Sequence, residues 1–186
     1  MSRQSLQRLQ ADPIYQANLD WGKPRYGHPE GSLRNHILDL EANLERLADL
    51  LNDDERERLR LLIHAHDICK PQARRGVLSD HPDHHGLLAR QLLERYCQDP
   101  ALLAITQYHD DGYTFYTYFR WNDDLADMLS QLYAQVLDPE LFLLFTLIDS
   151  SLPGKEPQPE QWLIDQFERR FGISERVKEC QRRLQA

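Results

Sequence analysis

His66 and Asp67, adjacent in the run Leu61-Leu62-Ile63-His64-Ala65-His66-Asp67-Ile68-Cys69-Lys70, place an imidazole and a carboxylate at the inner end of an apolar helix. Asn52 and Glu55 read as an N-cap pair, and Leu59, Leu62, Ile63 and His66 recur at i, i+3, i+4 and i+7, which turns the histidine towards the core. An ionised aspartate beside it is costly to bury unless it is paired or binds a cation, so the pair is a natural beginning for a metal site. Neighbouring helix residues point about 100° apart, so the remaining ligands have to come from other helices.

Four further segments offer them. His36 falls inside the stripe Leu33, Ile37, Leu40, Leu44 and Leu47, and His109 closes a stripe with Leu102 and Ile105. Asp149 ends the apolar run Leu141 to Asp149, one turn beyond Phe145, and His84 stands at the head of the helix Leu87 to Leu93, one turn before Leu88. His64, two residues from His66, faces the other side of its helix and is expected to pack or meet solvent. His81 lies in the polar helix entry Ser79 to Asp83 and is expected to be solvated. His28 sits in a turn-rich loop before the first ligand helix, where it can line a cleft, and Arg74 and Arg75 follow Lys70 on a loop where guanidinium groups can take a phosphate bidentately.

The order His36, His66-Asp67, Lys70, His84, His109, Asp149 resembles the HD superfamily of metal-dependent phosphohydrolases, and the two additional histidines resemble its binuclear members. The stretch His28 to His36 and that from His66 to His84 look like the HD domain of bacterial tRNA nucleotidyltransferases, and the ligand order around Ile105 to His109 is similar to that of HD-type diadenosine tetraphosphate hydrolases. The resemblance covers roughly Pro24 to Pro153. It implies an all-α HD-domain helical bundle, a first ion held by His36, His66, Asp67 and Asp149, and a second held by His84 and His109 with Asp67 shared. The small-residue spacing at Leu88-Ala89 selects His84, with His85 one rotation away. The donor mixture suits Mn, Fe, Co, Ni or Zn better than Ca. Asp67 and Lys70 are the implied catalytic residues, with Lys70 an implied contact to a small phosphate substrate, a nucleotide being the expectation; Arg74 and His28, from their loop positions, are the further expected contacts.

Departures from the family pattern narrow the reading. Asp110 stands where cyclic-di-nucleotide phosphodiesterases of the superfamily have a second histidine, and their Gly-Tyr-Pro signature is absent, which excludes that subfamily. Cys69 replaces a glycine common after the HD pair, a matter of packing rather than coordination. HD-fold di-iron oxygenases share the ligand order and remain the alternative enzyme class; a nucleotide-sensing regulatory module is the third, although that role usually goes with a broken ligand set.

Whole-chain properties accord with one HD-type domain over residues 1–186, its ligand-bearing core at about 24–153 and C-terminal helices at about 159–185. The formal net charge of -8, from 30 acidic and 22 basic residues, argues against long nucleic acids as partners. Three cysteines without CxxC spacing suggest reduced thiols and a cytoplasmic setting, and no apolar run approaches membrane-spanning length. The aromatic stretch Tyr113 to Trp121 is expected either to stack on a nucleobase or to pack a loop onto the domain. The amphipathic segments after Pro159 either cover the core or form a homodimer contact.

Overall fold

The computed structural model describes residues 2–121 and 124–186; Met1, Asn122 and Asp123 lie outside the described residues, Met1 with the first position of the N-terminal reading. The described chain is all-α: α1 Ser2–Gln10, α2 Pro13–Asn18, α3 Leu33–Arg46, α4 Asp53–Ala65, α5 His85–Leu93, α6 Pro100–Tyr108, α7 Asp111–Phe119, α8 Ala126–Gln135, α9 Pro139–Ser150, α10 Pro157–Phe171 and α11 Glu175–Gln185, with a 3-10 turn at Lys70–Gln72. Extended pairing among the described residues is confined to one isolated bridge, Arg25 to His28. Among the described residues, no helix is long and apolar enough to cross a membrane.

Helix starts follow local chemistry. Asn52 and Glu55 form the reciprocal capping box expected of α4, and Ser32, Asp99, Asp138 and Ser174 cap α3, α6, α9 and α11 through their side chains. Proline opens α2, α6, α9 and α10, where its missing N–H costs nothing. α4 is the hub, packed against α1, α3, α5, α6 and α9. Its Leu59, Leu61 and Leu62 are fully buried, and Phe142 and Phe145 of α9 fill the space opposite.

The C-terminal helices cover this core. α10 packs on α7 and α9, α11 on α9 and α3, and Phe167 and Cys180 are fully buried. Phe142 and Phe167 stack with centroids 5.2 Å apart, and Arg176 reaches both Glu55 at 2.7 Å and Glu140 at 2.5 Å. Of the two readings of these segments, core cover is the one their packing shows. The aromatic stretch after His109 also differs from the loop of the second reading: Tyr113 to Phe119 lie in helix α7, with Phe115 buried and Tyr113 and Phe119 exposed, and Trp121 is exposed beyond its end. Alternating aromatic and threonine residues hide the helical period there, and packing on α10 decides the conformation.

Candidate metal centre

Histidine side chains from the first turn of α3, the ends of α4 and α6 and the start of α5 converge with aspartates from the end of α9 and from the turns after α4 and α6. His66 follows the last residue of α4 and is fully buried, its Nδ1 3.1 Å from Ile63 O and 3.2 Å from Leu62 O. Carbonyl oxygens only accept, so Nδ1 carries the proton and Nε2 turns its lone pair into the cluster. His109, just after α6, is set the same way by Thr106 O, 2.9 Å from its Nδ1. The Nδ1 of His36 faces the carboxylate of Glu30 at 3.4 Å, and Glu30 also accepts from the Nδ1 of His28 at 2.9 Å.

Asp67 stands between two groups. Its Oδ2 lies 3.4 Å from His66 Nε2 and 3.7 Å from His36 Nε2, and Asp149 Oδ1 adds a contact 3.2 Å from His36 Nε2. Its Oδ1 lies 3.4 Å from both His85 Nε2 and His109 Nε2, which are 3.3 Å from each other. Asp110 closes this second group, with Oδ2 3.2 Å from His85 Nε2. Lys70, at the 3-10 turn, donates to Asp67 Oδ2.

His85, not the expected His84, therefore enters the second group. α5 begins one residue later than the spacing to Leu88 suggests: His84 is the N-cap, in extended conformation, and its Nδ1 accepts from Gly86 N at 3.1 Å. That bond occupies His84 in capping while the first helical residue points at His109. Gly86 makes the approach possible, because a Cβ there would sit 2.3 Å from Gln107 O on α6. The remaining expectations fall as follows. His64 is buried away from the cluster, bonded to Tyr15 Oη at 2.6 Å. His81 caps its own loop through Asp83 N. His28 and Lys70 line a cleft of about 340 Å³ that reaches His109, Asp110 and Asp149. Arg74 lines a second cleft, of about 750 Å³, that reaches His85. Glu30 and Asp110 are the residues missed as members of the site: Asp110 had its signal in the His-Asp pairing it forms with His109, whereas Glu30 had none beyond a turn.

The electrostatics belong to a cation site. Burial opposes ionisation of Asp67, yet Lys70, His66 and His109 hold its carboxyl well below the usual range. Asp149 is likewise lowered against burial, by Lys155 and His36. Burial lowers His36, but Asp149 and Glu30 outweigh it and raise the imidazole to about 9; His109 is raised to about 9 against burial by Asp110 and Asp67. Asp67 Oδ1 and Asp149 Oδ1 are buried and make no hydrogen bond among the described residues. Such orphaned carboxylate oxygens carry a penalty that a cation removes. Ligand atoms that share one transition ion lie about 3 Å apart, since each bond is about 2.1 Å long, and the donor spacings here match. His36, His66 and Asp67 form one group able to hold an ion, and Asp67, His85 and His109 another. The residues fit a divalent cation, and Asp67 belongs to both groups.

Comparison with known proteins accords with this geometry. The family model described as HD domain matches residues 33–147, more than half of the chain. The match contains His36, His66, Asp67, His85, His109 and Asp110 and ends two residues short of Asp149. Comparison with the curated proteins and with the solved structures gives no significant match.

Proposed function

The chain belongs to the HD domain family, generally one of metal-dependent hydrolases, and on that premise we propose that it hydrolyses a phosphate ester or anhydride of a small molecule, nucleotides being the first class to test. The observation that carries the reading is Asp67, whose two oxygens face two separate histidine groups. In this reading His36, His66, Asp67 and Asp149 hold one ion and Asp67, His85, His109 and Asp110 the other. Divalent ions bound there supply Lewis-acid neutralisation of phosphoryl oxygens and activation of water near neutral pH.

The chain's own residues do the rest. The backbone carbonyls at Leu62, Ile63 and Thr106 hold the His66 and His109 imidazoles with Nε2 directed inward, and Glu30 faces Nδ1 of His36. Lys70 lines both clefts and donates to Asp67 Oδ2; turned to a phosphoryl oxygen, it would offset charge that builds up on the transferring group. His28, held by Glu30, and Arg74 contact the substrate on either side.

Elemental analysis of the purified protein, with hydrolysis of a chromogenic phosphate monoester and diester measured with added Mn or Ni and with chelator, tests this. About two transition ions per chain and chelator-sensitive phosphate release are expected. Bound iron with dioxygen-dependent turnover and no phosphate release would replace the hydrolase with the oxygenase, and no bound metal would leave a ligand-sensing module.

A further inference from the structure

Asp149 is the penultimate residue of α9, in a last turn whose carbonyl oxygens have no partner within the helix. Such turns fray unless something outside the helix holds them. Two side chains do so here. Asn43 of α3 is buried and donates through Nδ2 to Ile148 O at 3.0 Å and to Ser151 O at 2.9 Å. Glu160 of α10, only 5 % exposed, meets the hydroxyl of Ser150, and both residues line the first cleft beside Asp149.

Hydrogen-bond arithmetic sets the state of Glu160. Ser150 Oγ lies 2.6 Å from Thr146 O and also against Glu160 Oε2. A hydroxyl has one proton, and a carbonyl oxygen can only accept it. With that proton directed to Thr146 O, the Glu160 carboxyl donates to Ser150 Oγ as an un-ionised acid. Its other oxygen, Oε1, accepts from Gln181 Nε2 at 3.4 Å and Gln185 Nε2 at 3.2 Å, both on α11, as the carbonyl oxygen of an acid does. Burial pushes this carboxyl up, and it makes no ion pair among the described residues. One neutral group thus joins α9, α10 and α11 at the turn that carries a ligand.

We infer that Glu160, as a neutral acid, is the positioning residue for Asp149: through Ser150 it fixes the last turn of α9 and with it the carboxylate that completes the first ion's donors. This rests on the reading of Asp149 as a ligand. It adds that helices beyond the matched residues 33–147 set the geometry of one half of the cluster.

Calorimetric titration of the metal-free, full-length protein with Mn(II), with melting curves in parallel, tests the inference. Asp149→Ala identifies the binding step that Asp149 serves. Glu160→Ala is expected to weaken that step by about tenfold, as loss of an outer contact to a ligand typically does, and to leave the other step unchanged. The amide of Glu160→Gln donates to Ser150 Oγ and accepts from the two glutamines, as the neutral acid does, so this variant is expected to titrate as wild type. Ser150→Ala should match Glu160→Ala, and the double variant should lose no more than either alone, because both changes remove one contact. A Glu160→Gln protein as weak as Glu160→Ala overturns the neutral acid. Equal weakening of both steps, or additive losses in the double variant, overturns positioning through Ser150. If Glu160→Ala fails to melt cooperatively, Ser150→Ala and Glu160→Gln decide by the same readings. Wild-type protein that takes up no Mn(II) fails the metal reading beneath, whereas an Asp149 step that survives Glu160→Ala intact fails this inference alone.

Discussion

The two halves of the cluster are built differently. The half around His36, His66 and Asp149 rides on α3, α4 and α9, helices of at least twelve residues whose apolar stripes drive them into the core, and His66 is fully buried. The half around His85, His109 and Asp110 is carried by α5 and α6, helices of nine residues each, with the Asp110 side chain 39 % exposed. Long amphipathic helices position a ligand by burying many neighbours at once. Short helices depend more on single contacts, here the His84 cap and the Gly86 approach to Gln107 O.

Removing what the halves share should have the largest effect. Asp67→Ala is expected to release both ions and lower turnover by roughly a thousandfold; metal content equal to wild type would refute the bridging role. Next, His85→Ala should lose one ion of the two while His84→Ala keeps both, measured as metal per chain, and the reverse result would return His84 to the site. Lys70→Ala should retain the metal and reduce turnover by about a hundredfold, and loss of metal instead would make Lys70 structural. Gly86→Ala attacks only the second half: the new Cβ pushes α5 off α6, at a cost of about 1–3 kcal/mol, and should weaken one ion site more than the other. Equal weakening would show that the halves are mechanically one unit.

The smallest effect is in pH. His36 and His109 are both raised to about 9 in the fold, so each charged imidazole adds stability that is complete below the unfolded value near 6.5 and lost as pH rises towards 9. Asp67 and Asp149 are lowered and add a constant amount over that range. Chelated protein should therefore melt at a lower temperature at pH 9 than at pH 6.5. Metal addition near pH 7 should release protons, because an ion must displace them from these rings; a proton-neutral titration would show that the two histidines are not ligands.

Hydrophobic periodicity is a property of the chain itself, and it determined the long helices, their inward histidines and Asp149, because burying an apolar stripe leaves one orientation for every residue on that face. The Asn52–Glu55 cap was legible for the same reason, since both groups lie within one turn. Tertiary structure alone decided between His84 and His85: a one-residue shift of a helix start costs little locally, and contact with α6 settles it. It also decided that Tyr113 to Phe119 is helical and that Glu30 faces His36 from a loop. These are relations between elements, and no periodicity within one element encodes them.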